Sequence, residues 1–563
     1  MSLKPSPVQS IPDDTLRVAR AAFSHGNAYL TLRDALGTIF TDEDFAPLFP
    51  ACGQPGLAPW RLALVTIMQF RENLADRQAA EAVRARIDWK YLLGLELTDP
   101  GFDFSVLSEF RDRLLAGSAE ERLLDRLLER CRTLGLLKAR GQQRTDSTYV
   151  LAAIRVLSQL ELVAETLRAT LNDIAAVAPD WLQGLAPLEW YERYGKRVED
   201  TRLPRAKAAR EAYAQTVGED GVRLLEAVEA PDAPEAVRTL PSITTLRRTW
   251  QRHYARPAPP SPGTRKRPEP RIRLKTNREL PRAAEGIESP YDVEARYRHK
   301  RDTQWTGYMV HLSETCEPTA PHLITHVHTT AATGHEAQCT APIQQALGQK
   351  ELAPAEHLVD AAYISAPLLV QSQEEHNITL RGPTRPSPGW QAQVDGGYTI
   401  EQFEIDWAHQ RVRCPQGKWS AAWWEHHGPT RHRPIWVEFA LEDCQACPAR
   451  AVCTRAQHQG RRIGLPPRAQ YEAAQAARAW MSSEGGKQQS QRRAGVEGTL
   501  SQAVRSYGLR YARYWGAAKT HLQHVATAAA LNIDRLVAWL DERPRAKTRT
   551  SRFAALAPVC HMA

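Results

Sequence analysis

The residues best suited to chemistry lie in segment 491–519, QRRAGVEGTLSQAVRSYGLRYARYWGAAK, where one acid stands among six bases. The acid is Glu497, and the bases are Arg492, Arg493, Arg505, Arg510, Arg513 and Lys519. At helical spacing, an apolar face forms from Val496, Leu500, Ala503, Val504 and Tyr507, with Glu497 at its edge. Metal-assisted phosphodiester cleavage needs a carboxylate for a divalent ion and cations for phosphates. A surface helix whose glutamate only pairs with arginines has the same pattern, so this segment alone does not distinguish such a helix from a metal-dependent site.

Two further acidic residues lie in strand-like segments far upstream. Asp146 lies in RTDSTYV, residues 144–150, and Asp360 lies in LVDAAY, residues 358–363. Around them, apolar alternation and β-branched residues predict strands at 145–154, 303–314 and 322–330. A helix at 335–348 and a short apolar strand that ends in Asp360 complete the pattern. The order is therefore strand, strand, strand, helix, strand.

These three segments resemble the motifs of DDE transposases from bacterial insertion sequences. The glutamate helix of that group reads Tyr-x2-Arg-x3-Glu-x6-Lys, and Arg493 and Glu497 match its Arg-x3-Glu part. The tyrosine and lysine positions hold Ser490 and Val504, so both depart from the pattern, and Arg505 is a candidate substitute for the lysine. The wording RAGVEGTLSQ, then GLRYARYWGAAKTHLQH and AAALN, is most similar to the insertion sequence 1182 family. The likeness extends from about residue 58 to residue 540.

The resemblance implies an α/β fold with an RNase H-like catalytic core, a mixed sheet with flanking helices. It implies that Asp146 and Asp360 end neighbouring strands and that these two residues and Glu497 are catalytic. They would hold two Mg²⁺ or Mn²⁺ ions, with Asp146 bridging and Asp360 and Glu497 each on one ion. The basic residues expected to hold DNA phosphates are Arg493, Arg505, Arg510, Arg513 and Lys519.

A cluster of four cysteines suggests a second metal. Cys414 precedes Pro-Gln-Gly, and Cys444-x2-Cys447-x5-Cys453 follows after a gap. Four thiols can form a tetrahedral zinc site, and both phrases resemble an insertion between the second aspartate and the glutamate in this family. Four reduced cysteines that only pack remain the alternative.

The chain of 563 residues is long enough for several domains. The predicted parts are a helical N-terminal domain (1–140), the first core strand (141–156), a helical insertion (157–256), a Pro-rich basic linker (257–288), core strands with the second aspartate (289–389), a β-rich insertion with Cys and Trp (390–466), core helices with Glu497 (467–541) and a basic tail (542–563). The N-terminal domain is expected to bind element ends, with a plain helical bundle as the alternative. The linker is either a solvated connector or a strap along DNA.

A net charge of +9 favours a polyanionic partner. No apolar stretch suggests a secretory signal or a membrane span, and no GxxxxGK[ST] motif suggests a nucleotide cofactor. THLQHVAT, residues 520–527, lacks the arginine of a tyrosine-recombinase box, and no tyrosine follows Tyr514. We therefore expect a cytoplasmic, nucleoid-associated protein.

The predicted function is transposition of the protein's own element by metal-dependent DNA cleavage and strand transfer. Its partners would be double-stranded DNA, as element ends and target, and further copies of the chain assembled on DNA. Two alternatives remain: an inactive or domesticated DNA-binding repressor, and a metal-dependent nuclease without strand transfer. All three candidate acids are present, which favours an active enzyme over a relic.

Overall fold

The computed structural model describes residues 2–255, 272–281, 285–384, 389–425, 435–544, 552, 553 and 556. Most of the predicted Pro-rich linker (256–271 and 282–284) and most of the predicted basic tail lie outside these residues. The described part combines many helices with a mixed sheet, which confirms the α/β class. None of the helices in these ranges is long and apolar enough to cross a membrane.

The α-helices and β-strands have the following bounds. The helices are α1 Asp13–Ala22, α2 Ala28–Leu36, α3 Pro59–Arg71, α4 Asp76–Ala85, α5 Ile87–Leu93, α6 Ser105–Ala116, α7 Arg122–Thr133, α8 Gln159–Val177, α9 Pro179–Leu185, α10 Leu188–Tyr194, α11 Lys207–Glu229, α12 Glu235–Arg238, α13 Pro241–His253, α14 Glu336–Gln349, α15 Ala366–His376, α16 Leu441–Gln445, α17 Arg450–Cys453, α18 Arg468–Ser482, α19 Glu484–Arg493, α20 Gly495–Ser506 and α21 Ala517–Leu540. The strands are β1 Gln142–Leu151, β2 Tyr254–Ala255, β3 Arg273–Leu274, β4 Arg296–Lys300, β5 Thr303–Thr315, β6 Ile324–Ala331, β7 Glu356–Val359, β8 Thr379–Arg381, β9 Glu404–Asp406, β10 Arg411–Arg413, β11 Ala422–Glu425, β12 Ile435–Glu438 and β13 Arg462–Leu465.

The main sheet has six strands, with β5, β1, β7 and β8 adjacent in that order. β4 and β6 both pair with β5, which itself lies antiparallel to β1. On the other side, β7 lies parallel to β1, and β8 lies parallel to β7. Parallel neighbours need a crossover, and α14 and α15 lie in the connections that lead to β7 and β8.

The helices of the N-terminal part share one hydrophobic cluster with the sheet. The cluster extends from Trp60 and Phe110 through Val310 on β5 to Val525 and Ile533 on α21. Helix α21 is apolar on nearly all sides, which suits a helix buried between two layers. It contacts α2, α3, α6 and α7 on one side and β6 on the other, so it joins the N-terminal helices to the sheet.

Ser105 is of a type that often caps a helix, but here it is the first helical residue of α6. The carboxylate of Asp103 accepts the Ser105 N–H at 2.9 Å and fulfils the capping role.

The two insertions have small cores of their own. In the helical insertion, α8, α11 and α13 pack around residues such as Leu167, Val217 and Trp250. In the second insertion, β9 pairs with β10, and β11, β12 and β13 form a small antiparallel sheet. The predicted character of both insertions, helical and β-rich, is therefore found.

The segment predicted as core helices, residues 467–541, contains four separate helices. The structure divides it into α18 to α21, with an irregular segment between Ser506 and Ala517. Gly508 and Gly516 have φ values of 67° and 87° there, a left-handed backbone that glycine adopts without strain and that ends a helix. The chain therefore turns away from α20 before α21 begins.

Candidate active site

The first aspartate lies in the middle of β1, not at a strand end as expected. β1 pairs with β5 along its whole second half, but its pairing with β7 stops at Thr145–Val359. Asp146 is therefore the first residue of β1 after its pairing with β7 ends. Its carboxylate accepts the N–H of Ser147 at 2.8 Å, and its side chain is only 18% exposed.

The second aspartate follows directly after β7. Because Val359 is the register partner of Thr145, Asp360 comes one residue past that pair, as Asp146 does on β1. Both aspartates line the same cleft, which has a volume of about 420 Å³. The parallel pairing of β1 and β7 thus brings together two acids that are 214 positions apart in the sequence (360 − 146).

The glutamate lies in the first turn of α20. Val496, Leu500 and Ala503 bury one face of this helix, and Glu497 stays 58% exposed at the edge of that face. The helix approaches β1 closely at Gly495, where a Cβ atom would lie 2.1 Å from the guanidinium of Arg144. Glycine at this position therefore permits the contact between the glutamate helix and the aspartate strand.

One arginine connects two of the three acids. The guanidinium of Arg493 donates to Asp146 at 3.2 Å and to Glu497 at 3.0 Å. The side chain of Arg493 is 21% exposed, so this bridge is partly shielded from water. The structure thus places the carboxylates of Asp146 and Glu497 around a single positive charge.

The electrostatics of Asp146 follow from this crowding. Burial raises the pKa of Asp146 above its usual value, and the charges of Asp360 and Glu497 raise it further. The Ser147 N–H and the Arg493 guanidinium oppose this rise without cancelling it. The site therefore has more negative charge than its own cation balances.

We expect Asp146→Asn to raise the urea midpoint of unfolding at pH 7. A carboxylate whose pKa is higher in the folded than in the unfolded state favours unfolding once it is ionised in both. The penalty is fully present above the folded-state pKa and vanishes as the pH falls below the unfolded value of about 3.9. Midpoints measured from acid to neutral pH should show a growing advantage of the variant.

The control for this experiment is Asp232→Asn on the exposed surface of the helical insertion. It should leave the midpoint nearly unchanged at every pH. If Asp146→Asn instead lost stability relative to wild type as the pH rose, the pKa of Asp146 would not be raised in the folded state.

A buried ion network, which the sequence analysis missed, fixes α20 against β1. Glu314 on β5 is fully buried, and its carboxylate accepts from Arg144 at 2.6 Å and from Arg535 at 2.7 Å. Thr499 on α20 donates to the same carboxylate at 2.7 Å. Burial alone would raise the pKa of Glu314, but the guanidiniums of Arg535 and Arg144 outweigh it and lower the pKa. The network ties together strand β1, two residues before Asp146, and helix α20, two residues after Glu497.

The five basic residues predicted to hold DNA have different surroundings. Arg493 lies at the carboxylates, and Arg505 is exposed two turns after Glu497, with its Nε donating to the Ser501 carbonyl at 3.4 Å. Arg510 lies over the ring of Tyr149 at 3.5 Å and donates to the Tyr149 carbonyl.

The other two basic residues contact the N-terminal part of the chain. Arg513 donates to the Leu74 carbonyl at 2.8 Å and to the side chain of Asn73. Lys519 forms an ion pair with Asp112 at 2.9 Å. Both side chains therefore have protein partners on the N-terminal helices, and we do not assign them to DNA in the proposal that follows.

The four clustered cysteines lie around the small core of the β-rich insertion. The thiol of Cys414 accepts the Lys418 N–H and that of Cys444 accepts the Arg461 N–H, both at 3.4 Å. Burial, together with the neighbouring thiols of Cys444, Cys447 and Cys414, raises the pKa of Cys453 to about 11 against the opposing charge of Arg461. The four thiols are thus electrostatic neighbours.

Neither the carboxylates nor the thiols form a closed metal cage. Within the described ranges, no group of three or more His, Cys, Asp or Glu side chains is arranged to hold a metal ion. In the carboxylate site, the guanidinium of Arg493 lies between two of the acids. A divalent ion would therefore bind there only with a movement of that side chain.

Comparison with known families finds two stretches that resemble transposase domains. Residues 413–537 match a family described as "Transposase DDE domain", and residues 18–113 match a family described as "Transposase domain (DUF772)". The first stretch contains Glu497 and the four cysteines, and the second covers most of the N-terminal helices. No curated protein and no solved structure matches the chain.

Two separate stretches of the chain are thus similar to transposase domains, one of them of the DDE type. Asp146 and Asp360 lie outside both matched stretches. Their place beside Glu497 rests on strand pairing and on the contact of Arg493, not on the family match.

Proposed function

We propose that the main sheet is an RNase H-like core and that Asp146, Asp360 and Glu497 form its DDE triad. The order β6, β5, β1, β7, β8 supports this proposal, because β1 is antiparallel to β5 and parallel to β7. The observation that carries the proposal is the Arg493 bridge between Asp146 and Glu497, with Asp360 one residue past the register pair beside Asp146.

The donor set fits a hard divalent cation such as Mg²⁺ or Mn²⁺. Three carboxylates supply the oxygen ligands that these ions prefer, and within the described part of the chain only one guanidinium, that of Arg493, contacts two of them. Asp146, Asp360 and Glu497 would hold the metal. When bound, it would lower the pKa of a coordinated water and stabilise charge on the phosphoryl oxygens.

The protein side chains have separate tasks in this proposal. Arg493 supplies the positive charge that Asp146 and Glu497 share. With a metal held by the carboxylates, the Arg493 guanidinium would be able to donate to a phosphate oxygen. Arg505 lies further along the same face of α20 and is exposed, so it can hold a second phosphate of the same strand.

The resulting activity is excision and integration of the protein's own insertion sequence. Phosphodiester hydrolysis exposes a 3′-hydroxyl at the element end, and that hydroxyl then attacks a phosphodiester of target DNA. The N-terminal helices would bind the element ends, and several copies would assemble on DNA. With cellular DNA as substrate, the protein would act at the nucleoid.

A strand-transfer assay separates this function from its alternatives. The wild-type protein is incubated with Mg²⁺, a labelled duplex that carries the inverted repeat flanking the gene, and a target plasmid. Labelled ends joined to the plasmid support transposition. Cleaved ends that never join indicate a nuclease, and binding without cleavage indicates a repressor.

The cysteine cluster leads to a separate prediction about zinc. We propose that Cys414, Cys444, Cys447 and Cys453 bind one structural zinc, because the four lie around one small core and backbone N–H groups already donate to two of the sulfurs. Elemental analysis of the purified chain should find about one zinc per chain. Cys444→Ser and Cys447→Ser should each lose it and lower the thermal midpoint.

The matched control is Cys131→Ser, a buried cysteine on α7 far from the cluster in sequence. It should keep the zinc even though it also changes a buried thiol. Wild-type protein purified without chelators that contains no zinc would leave the cluster as four packed thiols.

A further inference from the structure

One wall of the cleft that contains Asp146 and Asp360 is formed by the hairpin of β4 and β5. Lys300, Arg301 and Thr303 of this hairpin line the cleft together with Asp146 and Asp360. The hairpin is strongly basic: residues 296–301 read RYRHKR, followed by a single acid at 302. This wall lies far from Glu497 in sequence, so the motif around Glu497 gave no indication of it.

Most cations of the hairpin are engaged within the protein. Arg296 donates to the Val293 carbonyl at 2.6 Å. Arg298 donates to the carbonyls of Ala332 and Gly334 at 2.9 and 2.8 Å. Lys300 pairs with the buried carboxylate of Glu336 at 2.7 Å. Arg298 and Lys300 thus fix the hairpin to the segment after β6 and to the start of α14, while Arg296 is held by the chain just before β4.

Arg301 differs from these three in two respects. It is exposed and has no ion pair or hydrogen bond to any residue in the described ranges. It also occupies the turn of the hairpin with φ of 55°. A non-glycine residue in this left-handed region costs about 1–2 kcal/mol, and glycine or asparagine is the usual choice in such a turn. The chain thus carries a free guanidinium at a position where its backbone is unfavourable, beside the carboxylates.

Two aromatic residues of the cleft already contact other side chains. Tyr149 and Trp305 pack on each other with ring centroids 5.2 Å apart. Arg510 covers Tyr149, and Arg298 lies over Trp305 at 5.8 Å. These contacts leave less of the two ring surfaces available for stacking on a base.

We propose that Arg301 binds a backbone phosphate of the DNA strand that lies in the cleft. Asp146 and Asp360 line the same cleft, so the strand would be held beside these carboxylates. This inference rests on the proposed function, since it takes the cleft to be the place where DNA is cut. The contact is sequence-independent because it reads only phosphate.

The test uses the full chain, duplexes with and without the element end, and the variants Arg301→Gly and Arg301→Lys. Affinity is measured over a series of salt concentrations. For Arg301→Gly, the slope of log affinity against log salt should fall by about 0.9, the value for one phosphate contact on duplex DNA. The fall should be the same for both duplexes. Arg301→Lys keeps the charge and should keep the slope.

Arg301→Gly is expected to weaken DNA binding without lowering the thermal stability of the protein. Glycine relieves the left-handed backbone, so the thermal midpoint should stay the same or rise while DNA binding weakens. A loss of binding therefore cannot be attributed to misfolding. The charge control is Lys207→Ala, on an exposed lysine at the start of α11 in the helical insertion.

The outcomes separate this proposal from the proposed function. An unchanged slope for Arg301→Gly, or an equal fall for Lys207→Ala, would overturn the role of Arg301. If wild-type protein fails to cut the end duplex with Mg²⁺ but Arg301→Gly still loses one contact, the phosphate contact stands and the proposed function fails. If wild-type protein cuts the end duplex and Arg301→Gly binds like wild type, the proposed function stands and the phosphate contact of Arg301 fails.

Discussion

Asp146→Asn, Asp360→Asn and Glu497→Gln should each abolish Mg²⁺-dependent cleavage of the element end. Each amide removes a negative charge from the donor set, and metal ions supply several kcal/mol of transition-state stabilisation. A loss of about 4 kcal/mol corresponds to a rate lower by about 10³-fold. Single-turnover cleavage at saturating protein measures this loss, and a parallel binding assay should show little change in affinity for the end.

The controls for this series are Asp232→Asn and Glu351→Gln, both exposed acids outside the cleft. They should cleave at the wild-type rate. Any member of the triad whose amide variant also cleaved at that rate would lose its catalytic assignment, and the metal site would have to be redrawn around the remaining acids.

Glu314→Gln should be among the most destabilising single substitutions in the chain. The change leaves the guanidiniums of Arg144 and Arg535 without the carboxylate that both contact in a fully buried setting. Removing one partner of a buried ion pair costs about 3–5 kcal/mol, because a charge remains buried without compensation. Urea unfolding should show a loss of this size, and the cleavage rate should also fall, since Thr499 and Arg144 flank Glu497 and Asp146.

An exposed ion pair provides the comparison. Glu351→Gln breaks the pair with Arg132, in which the glutamate side chain is 78% exposed, and should change stability by less than about 1 kcal/mol. A similarly small loss for Glu314→Gln would mean that the network does not fix α20 to β1.

The sequence predicted those elements whose pattern is local. The alternating segment 303–314 corresponds to β5, and the helix predicted at 335–348 corresponds to α14 within one residue at each end. The three acids were also found from short motifs, and the strand order explains how Asp146 and Asp360 become neighbours. Local periodicity and turn chemistry suffice for such elements.

The parts that escaped prediction depend on contacts between distant segments. Arg513 lies 16 residues after Glu497 (513 − 497), yet its partners Asn73 and Leu74 are in the N-terminal helices. Proximity in sequence suggested DNA, but the glycine turns after α20 redirect the chain. Glu314 is equally invisible in sequence, because its partners lie 170 residues before it and 221 after it.

The shared core also bears on how the N-terminal part can be tested. Because α21 packs on α3 and α7 as well as on β6, removing residues 1–137 would expose one side of a buried helix. Loss of end recognition in such a truncation would not distinguish lost contacts from lost folding. Substitutions of exposed residues on these helices are therefore the appropriate way to locate end recognition.

The most direct test of the central claim is a Mn²⁺ anomalous difference map from crystals of the chain with a cleaved element end. We predict a manganese peak between the carboxylates of Asp146, Asp360 and Glu497, with the Arg493 guanidinium displaced from Asp146 towards the DNA phosphate. A map with manganese elsewhere, and with Arg493 still bridging Asp146 and Glu497 beside an engaged DNA end, would contradict the account.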